Sequence, residues 1–303
     1  MKVLICDPTA QEALDTIAAA GFEVVNRPDI TPEELMEVIP EYDCIVVRSR
    51  TKVRGPLIDA ATSLKAIVRG GVGLDNIDVE YARARGIQVL NTPTASTDAV
   101  AELTIGYIFA LARHIPQMTA SMRAGEWAKK SFKGSEVGGK TLGLIGAGRI
   151  ARATARRAKA LGMTVIAYDP YVSEAAEIDE LLPLADLLPR ADYISLHVPY
   201  TAETHNIIGA AELAQAKDGV YVINCGRGGT LDEDALYDAI QSGKVAGAAL
   251  DVYAEEPAKG NRLFTLPQVI GSPHVGAGTR EASARVGAEV ARQVIAALGG
   301  GAE

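Results

Sequence analysis

The sequence predicts two α/β domains, each built around a parallel β-sheet, and three observations support this prediction. Short apolar runs alternate with amphipathic stretches from the N-terminus to Thr92-Pro93. A second alternating series begins at Lys140, after a polar, glycine-dotted segment. The 303 residues are 48% hydrophobic but only 5% aromatic and include 30 glycines, which favours aliphatic strands covered by helices. This length suits two domains of ordinary size.

The first series contains predicted strands separated by helices. We expect strands at Lys2–Asp7, Phe22–Arg27, Cys44–Arg48, Ala66–Arg69 and Gln88–Asn91, and helices at Ala10–Ala20, Pro32–Ile39, Leu57–Ala61 and Val79–Arg85. Thr31 is the expected N-cap of the second helix, because its hydroxyl can accept a backbone N–H of the first turn. The alternation of strand and helix predicts a parallel sheet with helices on both faces.

The middle of the chain is expected to be helical. Thr92-Pro93 is a plausible domain boundary, because a residue before proline resists helical conformation. The apolar stretch Ala99–Arg113 then predicts one well-buried helix, which could continue to Arg123 with Pro116 as a kink or break.

The second series resembles the first in its rhythm. We expect strands at Thr141–Ile145, Thr164–Tyr168, Tyr193–His197, Val220–Asn224, Ala246–Leu250 and Val269–Gly271, with helices between most of them. The periodic stretch Glu281–Leu298 predicts a final helix.

Composition excludes several classes of protein. With 30 Lys+Arg against 38 Asp+Glu, the net charge of −8 argues against nucleic-acid binding. Cys6, Cys44 and Cys225 are odd in number and far apart, which predicts free thiols in a reducing compartment. No His, Cys, Asp and Glu occur at metal-ligand spacing. The apolar runs are too short for a signal sequence or a membrane span, so we expect a cytoplasmic protein.

A glycine-rich turn follows the first strand of the second series. Strand Thr141–Ile145 leads into Gly146-Ala147-Gly148-Arg149-Ile150-Ala151, a G-x-G-x-x-A pattern at the start of a predicted helix. In a dinucleotide site the first glycine allows the tight turn and the second lets the backbone approach the pyrophosphate. The third small residue lets helix and strand pack closely. This pattern predicts a dinucleotide-binding turn.

An acid at the end of the next strand supports that prediction. Asp169 lies 21 residues after Gly148, close to the spacing of about 20 expected for the acid that binds the ribose hydroxyls. Its carboxylate would repel a 2′-phosphate, so NAD is favoured over NADP. The alternative for Asp169-Pro170 is a helix N-cap. Arg149 could lie over the pyrophosphate or be a solvated arginine of the first turn.

Three polar groups follow successive strands of the same predicted sheet. Arg227 lies among glycines after one strand, Glu255 and Glu256 follow the next, and His274 follows the last. Ligands of parallel α/β sheets bind at the carboxyl ends of the strands. A histidine that accepts a proton, an acid that orients it and an arginine that binds a carboxylate are suited to oxidising a 2-hydroxy acid. Spacing alone does not choose between the two glutamates.

These motifs resemble those of the D-isomer-specific 2-hydroxyacid dehydrogenases. The resemblance covers essentially the whole chain, in matching order and spacing. It rests on VRSRTKV (Val47–Val53), RGGVGLDNID (Arg69–Asp78), NTPTASTDAVAE (Asn91–Glu102), GAGRIA (Gly146–Ala151), HVP (His197–Pro199), NCGRGGTLDE (Asn224–Glu233), GAALDVYAEEP (Gly247–Pro257) and SPHVGAGT (Ser272–Thr279).

The resemblance implies two Rossmann-like or flavodoxin-like domains, with an NAD-binding domain at residues 96–278 inserted into a substrate domain at residues 1–95 plus 279–303. It implies a catalytic trio of Arg227, Glu256 and His274, with Glu256 preferred as the acid directly before the proline. With the glycine turn, the implied cofactor-binding residues are Gly146, Gly148, Arg149, Ile150, Asp169, Val198, Pro199, Cys225 and Asp251.

The expected substrate is an anionic 2-hydroxy acid. Candidate binding residues are Arg48, Ser49, Arg69, Gly70, Gly71, Val72 and Gly73, with Arg50 as a further arginine of the cluster; the alternative is that these arginines are merely solvated. The members that oxidise 3-phosphoglycerate to 3-phosphohydroxypyruvate, a step of serine biosynthesis, resemble this sequence most. A hydroxypyruvate or glyoxylate reductase would share every catalytic residue, and an NAD(H)-sensing corepressor would retain the fold.

The family also implies an assembly. A homodimer is expected through the helix after residue 96, and Lys129 and Lys130 could then reach a neighbouring active site. The sequence ends soon after Glu281–Leu298, so the form expected is a short one without a serine-sensing module.

Overall fold

A computed structural model describes residues 1–299, which form two compact units. Unit 1 is Met1–Ser96 together with the chain from Ala277 onward, and unit 2 is Thr97–Gly276. These divisions fall one or two residues from those expected from the sequence. Residues 300–303, at the end of the predicted substrate domain, lie outside the described residues.

The described residues form strands and helices in strict alternation over most of the chain. The strands are β1 (Lys2–Ile5), β2 (Glu23–Asn26), β3 (Cys44–Val47), β4 (Ala66–Arg69), β5 (Gln88–Asn91), β6 (Thr141–Ile145), β7 (Thr164–Tyr168), β8 (Glu180–Leu181), β9 (Tyr193–Leu196), β10 (Val220–Asn224), β11 (Val245–Leu250) and β12 (Val269–Gly271). The α-helices are α1 (Gln11–Ala19), α2 (Pro32–Val38), α3 (Gly55–Ala60), α4 (Val79–Ala84), α5 (Thr97–Ala112), α6 (Ile115–Arg123), α7 (Arg149–Ala160), α8 (Leu184–Leu187), α9 (Ala210–Gln215), α10 (Glu233–Gln241) and α11 (Arg280–Ala297).

Unit 1 contains a parallel sheet in the order β2-β1-β3-β4-β5. Alternate residues of its central strands enter two separate hydrophobic clusters, because helices cover both faces. Val286 and Val290 of α11 belong to one of these clusters, which explains why the C-terminal helix is part of this unit. Thr31 caps α2 as predicted: its hydroxyl accepts the Glu34 N–H at 3.2 Å, and the Glu34 carboxylate accepts the Thr31 N–H at 3.1 Å.

Unit 2 contains a parallel sheet in the order β12-β11-β10-β9-β6-β7-β8. The chain proceeds from β6 outward through β7 to β8, then returns to the other side of β6 with β9. This reversal is the topological switch point of a doubly wound sheet, where ligands bind beyond the carboxyl ends of the strands. The predicted class of two parallel-sheet α/β domains is confirmed.

The long helical stretch is broken, one of the two predicted alternatives, but the break precedes the proline. Helix α5 ends at Ala112, α6 begins at Ile115, and His114 between them has a left-handed φ of 53°. Pro116 lies in the first turn of α6, where its missing N–H removes no helical hydrogen bond.

Sequence patterns also missed the shortest elements. Strand β8 contributes two residues, which pair with Ile166 and Ala167 at the edge of the sheet, and two residues show no alternation. Single 3₁₀ turns at Ile39–Glu41 and Arg262–Thr265 were likewise not predicted.

The described helices include none that is long and apolar enough to cross a membrane. Cys6, Cys44 and Cys225 are unpaired and buried, as the sequence predicts for free thiols. Burial raises the pKa of the Cys6 and Cys225 thiols to about 12, so these thiols remain protonated near neutral pH.

Candidate active site

The glycine turn lies at the switch point of the sheet in unit 2. Gly146 has a left-handed φ of 99°, and a Cβ there would lie 3.1 Å from the His197 carbonyl oxygen and 3.1 Å from Cγ1 of Val198. Glycine is therefore needed for conformation and for space. The close approach places Val198, which follows β9, beside the turn that follows β6. Val198, a predicted cofactor-binding residue after β9, thus lies against Gly146, which follows β6.

The start of α7 leaves room for an anion. A Cβ on Gly148, the N-cap of α7, would meet no atom within 4 Å, whereas Ala151 is completely buried in the core. An exposed backbone at the N-terminus of a tightly packed helix is suited to bind a pyrophosphate. Arg149 is exposed and Ile150 half-buried in this first turn. These residues fit a dinucleotide.

Asp169 follows β7 and is bonded to the glycine turn. Its Oδ2 accepts the Ala147 N–H at 2.8 Å, and its Oδ1 accepts the Tyr171 N–H at 2.9 Å. The next helix along the chain, α8, begins at Leu184, so Asp169 closes a turn and its interpretation as a helix N-cap is wrong. The turn fixes a half-exposed carboxylate beside the glycines, where it can accept the ribose hydroxyls.

The other predicted cofactor residues differ in exposure. Pro199 is exposed and Val198 half-buried. Cys225 and Asp251 are only 5% and 1% exposed, with Cys225 in the hydrophobic core. Their contact with NAD stays a prediction, and the contacts of Asp251 within the protein give it another role.

His274 and Glu256 meet at the carboxyl edge of this sheet. His274 Nδ1 lies 2.7 Å from Glu256 Oε2, and Glu256 Oε1 accepts the Tyr253 N–H at 3.1 Å. The acid in contact is Glu256, the one that the resemblance implies, and not its neighbour Glu255. Because the carboxylate engages Nδ1, Nε2 is the ring nitrogen left to exchange a proton with a substrate. The backbone of His274 is left-handed, with a φ of 53°.

The charge of Glu256 is maintained by its neighbours. Burial raises the pKa of Glu256, but the hydrogen bond from His274, the charge of that histidine, the Tyr253 N–H and the charge of Arg227 together outweigh it. The pKa of Glu256 therefore lies below its ordinary value. An ionised Glu256 orients the imidazole with its Nδ1–H toward the carboxylate.

Arg227 is carried by a loop that Asn224 holds. The Asn224 amide donates to the Arg227 carbonyl at 3.0 Å, and its oxygen accepts the Gly226 N–H at 3.0 Å. The Thr230 hydroxyl donates to the same Arg227 carbonyl at 2.7 Å. The buried asparagine at the end of β10 thus turns the chain and presents Arg227, a half-buried residue, at the strand end.

Asp251 holds the loop that carries His274, a role that the sequence did not reveal. Its Oδ1 accepts the Val275 N–H at 2.8 Å and the Ser272 hydroxyl, and its Oδ2 accepts the Gly276 N–H at 2.7 Å. The Tyr107 hydroxyl lies 2.5 Å from the same Ser272 hydroxyl. This network fixes residues 272–276 on both sides of His274.

In unit 1, a comparable loop carries Arg48 and Ser49 after β3. Asp7 Oδ2 accepts the backbone N–H of Arg48 at 2.5 Å and that of Thr51 at 3.3 Å. The Asn76 amide donates to the carbonyls of Arg48 and Thr51, each at 2.7 Å. Ser49 is exposed and Arg48 half-buried at this strand end.

Arg50 donates hydrogen bonds to neighbouring segments of unit 1. Its Nε donates to Asp7 at 2.9 Å, its Nη1 to the Ile30 carbonyl at 3.2 Å, and its Nη2 to the carbonyls of Cys6 and Pro28. That Arg50 joins Arg48 in binding substrate stays a prediction, whereas these hydrogen bonds give Arg50 a role in folding the loop.

Arg69 ends β4 and lies against the glycine loop that follows. It is 9% exposed, and a Cβ on Gly71 would lie 2.1 Å from its Nη1. The Val72 carbonyl accepts the Asn91 amide at 2.5 Å, which fixes the loop, and Gly73 is half-exposed. Gly70 is buried, with Val286 3.2 Å from a Cβ placed on it. The structure places all these predicted substrate residues in unit 1, whereas the trio lies in unit 2.

The remaining histidines have structural contacts. His197 Nε2 lies 2.9 Å from the Ser195 hydroxyl, and burial lowers the pKa of His197 to about 4. His205 packs edge-on against Tyr200, and His114 forms the break between α5 and α6. Lys129 and Lys130 are exposed.

Fold and site define a dinucleotide-binding protein of the doubly wound α/β class. The family model described as "D-isomer specific 2-hydroxyacid dehydrogenase, NAD binding domain" matches residues 105–276. The chain is 49% identical over 304 residues to D-3-phosphoglycerate dehydrogenase of Methanocaldococcus jannaschii, covering 99% of this chain and 58% of the relative. It is 46% identical over 301 residues to hydroxypyruvate reductase of Thermotoga maritima, covering 98% of each.

A solved structure of a Thermus thermophilus protein aligns with a TM-score of 0.92 and 35% identity, over 99% of this chain and 97% of that one. The chain therefore belongs to the D-isomer specific 2-hydroxyacid dehydrogenase family, and its matched domain is NAD-binding. It spans a little over half the length of curated phosphoglycerate dehydrogenases that it matches, such as those covered to 58% and 57%.

Proposed function

We propose that this chain catalyses the NAD-dependent oxidation of a D-2-hydroxy acid, with 3-phosphoglycerate as the substrate and 3-phosphohydroxypyruvate as the product. The observation that carries the reaction class is the 2.7 Å contact between His274 Nδ1 and Glu256 Oε2. It lies at the same edge of the same sheet as the glycine turn, which supports a proton acceptor beside a dinucleotide.

The residues of unit 2 divide the chemistry between them. When bound, NAD would supply the acceptor for the hydride that leaves the carbon bearing the hydroxyl. His274 Nε2 takes the hydroxyl proton, while Glu256 binds Nδ1–H and balances the positive charge that develops on the ring. Arg227 binds the substrate carboxylate through its planar guanidinium. A 2-keto acid results.

The choice of NAD over NADP rests on Asp169. Its carboxylate is fixed by two backbone N–H groups beside the glycine turn. The remaining lone pairs suit two ribose hydroxyls, whereas a 2′-phosphate there would meet a like charge. Arg149, Ile150, Val198 and Pro199 complete the proposed cofactor site.

The phosphorylated substrate rests on unit 1. Arg48 and Arg69 are proposed to bind the anionic substrate together with Ser49 and the backbone of residues 70–73, since guanidinium groups match phosphate geometry. The 49% identity to a phosphoglycerate dehydrogenase supports this substrate. The 46% identity to a hydroxypyruvate reductase favours the second candidate, reduction of hydroxypyruvate or glyoxylate by the same trio.

A turnover screen tests these proposals. Purified protein should be assayed with NAD and NADP against 3-phosphoglycerate, glycerate and lactate, and with the reduced cofactors against the corresponding keto acids and glyoxylate. The highest kcat/KM is expected for 3-phosphoglycerate with NAD. A higher value for glycerate or hydroxypyruvate would favour the second candidate. Cofactor binding without any turnover would point to a corepressor-like binding protein.

We further propose a cytoplasmic homodimer that acts in serine biosynthesis. The dimer is proposed to form through α5 and the segment after it. No residue of helix α6 is fully buried, Ile115 and Met122 are 45% and 56% exposed, and Trp127 is 80% exposed. Exposed apolar side chains grouped in this way are typical of protein contacts. Sedimentation equilibrium should give twice the monomer mass, and Trp127→Ser should lower it.

A further inference from the structure

The loops that carry Arg227 and Glu256 touch at the Tyr253–Ala254 peptide. A Cβ on Gly228 would lie 1.7 Å from the Tyr253 carbonyl oxygen and 2.2 Å from its carbon. These are backbone atoms, so no side chain could move aside. The residue after Arg227 must therefore lack a side chain for the two loops to approach as they do.

Glu233 holds the same peptide from its other side. It is the first residue of α10, and its Oε1 accepts the Ala254 N–H at 2.6 Å. Its Oε2 accepts the side-chain amide of Asn261 at 2.6 Å. A reversal of the Asn261 amide would lose a further hydrogen bond, because its oxygen accepts the Leu263 N–H at 3.0 Å. Both carboxylate oxygens of Glu233 therefore face committed donors at the two ends of residues 254–261.

Tyr253 connects this contact to the trio. Its N–H donates to Glu256 Oε1 at 3.1 Å, and its hydroxyl reaches the carbonyls of Leu250 and Ser272, each at 2.9 Å. A displacement of the Tyr253–Ala254 peptide would therefore move the Glu256 carboxylate. It would also disturb Ser272, at the start of the loop that carries His274.

We propose that Glu233 is a positioning residue of the active site: by holding the Ala254 N–H and Asn261, it fixes Glu256 against His274. Glu233 is not itself a catalytic residue, and it acts through the loop of residues 253–261. The role in turnover rests on the proposed function, whereas the effect on the His274–Glu256 contact does not.

Glu233→Gln is the sharpest test. The variant keeps the shape of the side chain, but its NH₂ group must face either the Ala254 N–H or the Asn261 amide. Asp234→Asn is the matched control, since Asp234 is the next residue, is exposed and pairs with Arg262 at 2.8 Å. Glu233→Ala removes both acceptors and serves as the second variant.

Two readouts separate positioning from general stability. The first is the proton resonance of the His274 Nδ1–H bonded to Glu256, measured without substrate and assigned by its loss in His274→Asn; the chain has 4 histidines. The second is the division between kcat and KM. In Glu233→Gln we expect the resonance to weaken or vanish and kcat to fall about 10-fold, because displacement by about an ångström costs up to about 100-fold in rate. NAD affinity should stay within about twofold, and Asp234→Asn should match the wild type in every readout.

The outcomes are distinguishable. Suppose that the wild type turns over no 2-hydroxy acid, but that Glu233→Gln loses the resonance while Asp234→Asn keeps it. The proposed function then fails and the positioning role stands. If both Glu233 variants keep the resonance, the proposal is overturned, even where their thermal unfolding midpoints or rates fall. If Glu233→Ala does not fold, Glu233→Gln decides the result by itself.

Discussion

Asp7 in unit 1 and Asp251 in unit 2 hold loops in the same way, but their donors differ in charge. Each is 1% exposed and lies just after a strand. Each accepts N–H groups from the loop after the neighbouring parallel strand, which carries Arg48 in one unit and His274 in the other. Asp7 also binds the Arg50 guanidinium, whereas Asp251 accepts from one hydroxyl and two backbone N–H groups.

The difference shows how one arrangement can serve two purposes. A parallel sheet brings successive strand ends to one edge, so an acid on one strand can fix the loop of the next. In unit 1 the ion pair with Arg50 neutralises the acid, and the loop presents Arg48, which is proposed to bind substrate. In unit 2 neutral donors alone satisfy the acid, and the loop presents His274, the proposed proton acceptor. Removal of Arg48 in unit 1 should therefore weaken substrate binding, and removal of His274 in unit 2 should lower turnover.

The largest effect is expected from the residue presented in unit 2. His274→Asn should lower kcat by roughly 10²–10⁴, the usual contribution of a positioned acid or base. Steady-state kinetics and NAD titration measure this, and the cofactor affinity should remain nearly intact. His205→Asn is the matched control, because that histidine lies exposed in a turn. Near-normal turnover of His274→Asn across pH would show that the base is another group.

Substitution of the two acids themselves compares the two loops directly. In Asp251→Asn the new NH₂ group must face the Gly276 N–H or the Val275 N–H, so a buried donor is left unsatisfied; we expect a loss of about 2–4 kcal/mol in the free energy of unfolding. In Asp7→Asn the NH₂ group can donate to the Thr51 hydroxyl, and the Arg50 side chain, 48% exposed, can turn to water. A loss of about 1–2 kcal/mol is expected there.

Denaturant unfolding measures both losses, and kinetics adds a second contrast. Asp251→Asn should lower kcat, whereas Asp7→Asn should mainly raise KM. Equal losses of stability, or a fall in kcat for Asp7→Asn alone, would contradict the comparison.

Removal of Arg48, the residue presented in unit 1, should weaken the binding of a phosphorylated substrate. Arg48→Ala should raise KM for 3-phosphoglycerate about 10- to 100-fold, the effect of losing one charge-assisted hydrogen bond, and leave KM for glycerate nearly unchanged. Arg54→Ala is the control, since Arg54 pairs with Asp78 at 2.8 Å on the surface. Equal increases for both substrates would argue against a phosphate at Arg48.

A further effect, seen only at acidic pH, concerns His197, which lies outside both loops. It is partly exposed as a whole, but its Nδ1 is buried, and burial lowers the pKa from 6.5 to about 4. Between these values the unfolded state binds the proton and the folded state does not, so stability is lost as pH falls from about 6.5 to about 4. The loss amounts to about 2 kcal/mol at pH 5.

Comparison with His197→Gln isolates this contribution. The free energy of unfolding should fall less steeply between pH 7 and pH 5 in the variant, while His205→Asn should follow the wild type. Parallel curves for wild type and His197→Gln would show that the histidine does not carry the pH dependence.

Local patterns alone were sufficient for most of the fold. Strands β4, β5, β6, β7, β10 and β12 have the predicted bounds, because buried parallel strands are short aliphatic runs between turn residues. The glycine turn was equally visible, because the G-x-G-x-x-A pattern lies within six consecutive residues. Only the structure shows that His197 and Val198, from another strand end, limit the space at Gly146. The break at His114 was not visible, because it depends on one left-handed residue and not on the proline that follows.

The tertiary structure decided which polar groups meet where periodicity and spacing could not. In the structure, Glu256 and not Glu255 contacts His274, and Arg50 donates hydrogen bonds that fold a loop. Asp251 accepts the backbone N–H groups of residues 275 and 276. Periodicity assigns a residue to a face or a strand end, but a hydrogen bond requires two atoms within about 3 Å. That distance depends on which strands are neighbours in the sheet, and β1 next to β3 or β11 next to β12 is set by the packing of the whole domain.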